Sequence, residues 1–209
     1  MRGRLLILSS LVLLACQKHE PEPPSAGATP PAPSVAPVVA PAATPPAATS
    51  WVAWTHPQKL VTVRFPGKPE ETKQVAETPM GPVDFTMAIH ASSTRAFMAG
   101  ATVYKLPEGA SFDVPKALDG ARDKMLADIN GKVTSEKTIE LDGFKGREVS
   151  FEAPGPKGAT IRGTARLFAG SDPPGAYMAS AFRMTDAPDP DAAPFLDSMH
   201  LGKAVPSKP

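Results

Sequence analysis

Two runs decide how this chain folds: Arg147-Glu148-Val149-Ser150-Phe151-Glu152-Ala153 and Thr160-Ile161-Arg162-Gly163-Thr164-Ala165-Arg166-Leu167-Phe168. Both alternate polar and apolar residues, the period of a strand with one face buried. Laid antiparallel with Glu152 opposite Arg162, they also set Ser150 opposite Thr164, Glu148 opposite Arg166 and Phe151 over Gly163. Every polar pair is then complementary, and Val149, Phe151, Ala153, Ile161, Ala165 and Leu167 share the other face. A slip of one residue would set polar against apolar side chains, so the pattern itself specifies the register. Arg147 is the exception on the apolar side, and its place there predicts a position near the sheet edge.

The same period runs through most of the region from Trp51 onward. Val83, Phe85, Met87 and Ile89 alternate with Asp84, Thr86, Ala88 and His90 along Val83–Ala91, and Val61, Val63 and Phe65 form a shorter stripe ended by Pro66-Gly67. A weaker strand is predicted over Glu71–Glu77, turning at Met80-Gly81-Pro82, and further strands over Phe97–Tyr104, Lys137–Leu141 and Ala176–Met184. Turn residues such as Asp142-Gly143 and Pro154-Gly155 separate them. Helical spacing appears twice. Leu118, Ala121, Met125 and Ile129 recur between Asp113 and Asn130, with Asp113 as cap, Pro115 in the first turn and Gly131 as stop. The second helix is predicted over Asp189–His200, capped by Asp189, with Pro190 first and Phe195, Leu196 and Met199 buried.

These elements predict an α+β domain: a twisted, mainly antiparallel sheet of about six to eight strands packed with two principal helices. One sheet face should be strongly apolar and covered by the helices, the other mixed and polar. The region 51–205 is long enough for one domain with a substantial core. From Trp51 to Pro209 there are 19 Lys plus Arg and 19 Asp plus Glu. That balance argues against nucleic acid or an anionic membrane surface as partner. The domain holds no cysteine, so disulfides, thiolate metal sites and cysteine nucleophiles are excluded from it.

The single cysteine, Cys16, ends a leader. Arg2 and Arg4 form a basic start and Leu5–Leu14 an apolar stretch, followed by Ala15: the parts of a secretory signal over 1–15. The stretch is too short for a membrane span, which takes roughly 20 helical residues. Residues 17–50 contain ten prolines, nine alanines and no aromatic residue. Such a segment cannot bury enough surface to fold and reads, with Cys16, as a disordered tether over 16–50. Fully extended it reaches on the order of 100 Å at about 3.1 Å per residue. Residues 206–209 read as a disordered tail.

The run Leu13-Leu14-Ala15-Cys16 resembles the bacterial lipoprotein box. The resemblance implies cleavage before Cys16 and acylation, palmitate included, of its thiol and new amino group. It makes the membrane the first partner, through an N-terminal lipid anchor, and the cell envelope the address. Gln17, where an aspartate would favour the inner membrane in many Gram-negative bacteria, points to the outer membrane in such a cell. The order of elements, with Phe65-Pro66-Gly67 early, Gly143–Glu148 in the middle and Phe195-Leu196-Asp197-Ser198-Met199 late, resembles the PsbP-like domains, DcrB-like envelope lipoproteins among them. That resemblance implies an α/β/α sandwich and a non-catalytic accessory or binding role.

Nothing in the sequence calls for a cofactor. The histidines, His19, His56, His90 and His200, form no zinc spacing, and those of the domain read as surface residues. Asp197, Ser198 and His200 lie too close on one predicted helix to chain as a triad. Gly143-Phe144-Lys145-Gly146-Arg147 lacks the Walker spacing and reads as a hairpin turn. The surface best suited to binding is the mixed sheet face, with Arg64, Asp84, His90, Glu148, Glu152, Arg162 and Arg166. The leading expectation is a non-enzymatic, membrane-tethered binding or accessory module meeting an envelope protein or the cell wall, its oligomeric state left open. The alternatives are an envelope-polymer hydrolase using Glu148 or Glu152, and a purely structural lipoprotein.

Overall fold

The computed structural model describes residues 50–78 and 81–202. Residues 1–49, with Cys16 and the leader and nearly all of the tether, lie outside the described residues, as do Met80 of the predicted turn and the tail 206–209. The elements in chain order are β1 (Val52–Thr55), β2 (Val61–Phe65), β3 (Glu70–Thr78), β4 (Gly81–Ala91), β5 (Arg95–Val103), α1 (Val114–Ile129), β6 (Lys132–Leu141), β7 (Phe144–Pro154), β8 (Thr160–Ser171), β9 (Pro174–Arg183), α2 (Ala192–Asp197) and β10 (His200–Leu201). The class is α+β, as the alternation predicts.

Seven strands form one sheet in the order β3-β4-β5-β9-β8-β7-β6, every neighbouring pair antiparallel. The chain lays down β3 to β5 as a meander and crosses over through α1. It then returns from the far edge as β6 to β9, so that β9 closes against β5. The β7–β8 register is the one the charges dictate: Glu152 opposite Arg162, Ser150 opposite Thr164, Glu148 opposite Arg166, and Phe151 opposite Gly163. Between β6 and β7 the turn is Asp142-Gly143, with φ of 51° and 82°. Two consecutive left-handed residues make the tight hairpin turn whose twist matches the strands, and glycine takes the second at little steric cost.

α1 begins where predicted, with the Asp113 carboxylate accepting from Lys116 N at 3.0 Å and proline in the first turn. Its stop differs. Asn130, at φ 52°, takes the left-handed cap position, and Gly131 N donates to Leu126 O. Asparagine tolerates that conformation better than most residues, so glycine was not required there. α2 is shorter than predicted, beginning at Ala192 with Asp191 at its cap. Asp189 is diverted: its carboxylate accepts from Asp191 N and pairs with Arg95 at 2.9 Å. Phe195, Leu196 and Met199 are buried as expected, but His200 belongs to β10.

The division into one apolar and one polar sheet face is corrected by the structure. One face carries Val149, Phe151, Ala165, Leu167 and Ala169 beneath Leu118 of α1. The opposite face, polar at β7 and β8, is apolar at its centre, where Phe97, Ala99, Ala101, Tyr177, Ala179 and Ala181 pack against Val61, Val63, Phe65, Phe195 and Leu196. A second, three-stranded sheet, β1-β2-β10, forms the covering layer there together with α2. The floor is alanine-rich, which lets the aromatic rings above approach the sheet closely.

Candidate functional site

The seven candidate residues fall in three places. Arg64 lies on β2, in the smaller sheet, because β2 pairs with β1 and β10 instead of joining the larger one. Its guanidinium lies over the Trp51 ring at 5.9 Å, and its backbone N–H donates to Ser198 Oγ at 2.9 Å. Trp51, Arg64, Pro194 and Ser198 line a small hollow of about 160 Å³. Asp84 and His90 lie on β4, three strand spacings from β8, or about 14 Å. The other four face one another across β7 and β8.

That group is a ladder of charges. Arg166 donates from Nε to Glu148 at 2.8 Å, from one terminal nitrogen to the Leu196 carbonyl at 2.9 Å, and from the other to Asp197 at 2.7 Å. Lys137 of β6 reaches the second Glu148 oxygen at 2.8 Å. Four residues along each strand, Arg162 holds Glu152 at 2.8 Å and also pairs with Asp186. Burial acts to raise the pKa of Glu148, but the hydrogen bonds from Lys137 and Arg166 outweigh it and hold the carboxyl below its ordinary value. Glu148 is therefore ionised near neutral pH and has no proton to give a leaving group.

Glu148 and Glu152 are four residues apart on one strand, about 13 Å at 3.3–3.4 Å per residue. Glycosidic acid and base carboxylates work about 5–10 Å apart, with the acid's pKa raised. Spacing, pairing and ionisation all disfavour acid–base work by this pair. The geometry instead pins α2 to the sheet, since Arg166 joins β7 to the last turn of α2.

Arg147 is explained by a second cluster on the other face. It pairs with Glu136 of β6 and with Asp119 of α1 at 2.7 Å, and Arg122 binds the same Glu136. Hydrogen bonding from Arg147 is the main cause that keeps Glu136 below its usual pKa. Arg147 thus lies one strand in from the edge and locks α1 to the sheet. Between the first turns of α1 and the β6–β7 edge runs an open groove of about 560 Å³, lined by Val114, Pro115, Lys145 and Arg147 among others. It was not anticipated, because the first turn of α1 and the hairpin residues that line it, Lys145 and Arg147, are separated by the rest of the helix and all of β6.

The polar residues near α2 are separated as the sequence argument expects. Asp197 binds Arg166, Ser198 Oγ donates to Phe195 O at 2.7 Å, and His200 lies on β10 with Nδ1 3.8 Å from Asp142. His90 is more than a surface residue. Its ring stacks on Phe97 at 6.3 Å and covers Gly67, where an added Cβ would meet the ring at 2.4 Å. Among the described residues, no group of three or more His, Cys, Asp or Glu side chains is arranged to hold a metal ion.

His56 is the clearest correction among the histidines, being only 3% exposed. It closes the β1–β2 turn: Nδ1 accepts from Gln58 N at 3.2 Å, and Trp54 meets the ring edge-on at 6.0 Å. Nε2 is buried and, among the described residues, has no partner at full hydrogen-bond geometry. Burial lowers the pKa from 6.5, and Lys73 adds to this; Glu71 and the Ala101 carbonyl oppose it. Folding therefore favours the neutral ring, and the unfolded chain binds the proton more tightly. The His56 contribution to stability is full above about pH 6.5 and is lost as pH falls below it, toward the lowered folded value. His56→Asn, whose amide oxygen can still accept from Gln58, should flatten the decline of the urea midpoint as pH falls below about 6.5. An unchanged slope would show that His56 is not its source.

The fold and this site define a two-sheet α+β domain in which Arg147 ties α1 and Arg166 ties α2 to the larger sheet. No protein-family profile matches the chain, and no curated protein sequence matches it.

Proposed function

We propose that the chain is a bacterial envelope lipoprotein, a non-enzymatic binding or accessory module held to a membrane through acylated Cys16 and displayed on its proline-rich tether. The observation that carries this reading is the run Leu13-Leu14-Ala15-Cys16, placed between an apolar leader and a segment whose composition cannot fold. Two or three acyl chains hold a protein firmly, each buried methylene contributing about 0.8 kcal/mol. The equal numbers of acidic and basic residues after Trp51 support a domain that stands off anionic surfaces. The pairing of Glu148 and Glu152 with arginines supports binding over acid–base hydrolysis at that face. Gln17 supports the outer membrane in a Gram-negative cell, and the element order keeps a PsbP-like relationship as part of the proposal.

Cys16→Ala tests it. The variant should lose palmitate incorporation and remain unprocessed at this site, while the parent chain labels and sediments with membranes. A parent protein extracted from membranes with an unacylated mass would end the reading. Crosslinking in cells followed by pull-down through the domain should then return one specific envelope partner.

A further inference from the structure

We infer that Asn130-Gly131, where α1 runs into β6, is a self-modifying site: the Asn130 amide converts to a carboxylate when the last turn of α1 opens, and the closed turn prevents it. Asn130 is the only asparagine of the chain, and glycine follows it. Glycine puts no side chain in the way of ring closure. The Gly131 nitrogen gives its proton to hydroxide and its lone pair attacks Asn130 Cγ; the bond from Cγ to the amide nitrogen breaks, and ammonia leaves after taking a proton from water. Water then opens the five-membered imide at either carbonyl, giving aspartate or isoaspartate.

The folded chain blocks the first step in three ways. Asn130 lies at φ 52° and ψ 38°. Ring closure needs the Gly131 nitrogen beside Asn130 Cβ about the Cα–C bond, whereas at this ψ the nitrogen stands nearly opposite Cβ. Its N–H is also engaged, donating to Leu126 O at 2.8 Å in the bond that closes the helix end. Finally, Ile129 and Leu126 crowd the glycine, where an added Cβ would meet Ile129 Cγ1 at 3.0 Å and Leu126 Cδ2 at 3.2 Å. Asn130 itself is exposed, so water and hydroxide reach its amide.

This turn is also the weak end of α1. Leu118, the buried residue of the helix, lies in its first half, and the ion pairs to the sheet come from Asp119 and Arg122. The last turn contains no basic residue, and Asp128 sits near the carbonyl end, where negative charge is unfavourable. Few buried contacts and a mismatched charge put the turn at the low end of local stability. Opening it frees the Asn130 ψ and the Gly131 N–H together. The product then hinders closing: a carboxylate adds charge of the wrong sign at the helix end, and isoaspartate inserts a methylene into the backbone between the capping groups. A single fraying event thereby becomes permanent.

The test incubates the full chain at mildly alkaline pH and follows Asn130 by peptide mapping, reading the mass gain of amide-to-acid conversion and the isoaspartate fraction. The folded chain should convert about tenfold or more slowly than the same chain held unfolded in urea. Ala127→Gly, at an exposed position in the last turn, should speed conversion of the folded chain about fivefold, through the helix propensity that glycine forfeits. Ala117→Gly, the same change near the start of α1, should leave the rate within about twofold, because local opening does not reach it. Conversion as fast folded as unfolded, or a rate untouched by Ala127→Gly, would overturn the inference. Equal acceleration by both glycine variants would overturn it as well, since the opening would then be that of the whole domain.

Discussion

Phe195→Ala is expected to lower the unfolding free energy by about 3–5 kcal/mol, read as a fall in the urea midpoint at unchanged m-value. Phe195 is fully buried. Its ring lies 5.0 Å from that of Phe65 on β2 and 5.2 Å from that of Phe97 on β5. It is therefore the contact through which α2, the smaller sheet and the larger sheet meet. Removing it deletes the aromatic contacts on both sides and leaves a cavity between two sheets that cannot collapse without moving as layers. Domains of this size have about 5–15 kcal/mol in total, so the loss takes a large share of stability. Phe195→Leu, which keeps most of the volume, should cost clearly less. A loss below about 1 kcal/mol for the alanine variant would show that the layers are held elsewhere.

Gly163→Ala should cost about 2–4 kcal/mol, although it adds a single methyl group. Gly163 sits in β8 opposite Phe151 on one side and Phe182 on the other. An added Cβ would lie 2.5 Å from Phe151 Cζ, 2.8 Å from Phe182 Cβ and 2.9 Å from the Ala181 carbonyl oxygen. The first contact can be relieved by trimming the ring, while the last two involve atoms fixed to the backbone of β9. Phe151→Leu placed on Gly163→Ala should therefore recover part of the loss and not all of it. Thermal unfolding of the two single variants and the double variant measures this as a coupling energy. Wild-type stability in Gly163→Ala would mean the ring does not cover the glycine.

That Phe151 covers Gly163 could be read from the sequence, and the reason is local. In β7 and β8 the apolar alternation and three complementary polar pairs all point to one register, so independent signals agree. α1 was legible for the same reason, its cap, proline and apolar spacing coinciding. The smaller sheet was not. β1 has four residues and β10 only two, too few for periodicity, and β10 takes its strand conformation from pairing with β2. The second core layer was hidden by its floor: Ala88, Ala99, Ala101, Ala179 and Ala181 are at most 4% exposed, yet alanine carries little pattern. Of the candidate face, the four residues of β7 and β8 were brought together as expected. Arg64 was misplaced because β2 looks like any other alternating strand until its neighbours are known, and His56 because burial at a turn leaves no periodic mark.

The smaller sheet also sets a clock. β2 is joined on one side by β1, a few residues upstream, and on the other by Leu201, with Gly202 N donating to Leu60 O at 2.9 Å. A chain made from its N-terminus finishes β2 early, but the strand that completes its other edge appears only after about 135 more residues. At about 5–20 residues per second that interval is roughly 7–30 s. Throughout it Val61, Val63 and Phe65 have no finished core to enter. The smaller sheet therefore closes only after Leu201 has emerged, long after the strands of the larger sheet that it covers.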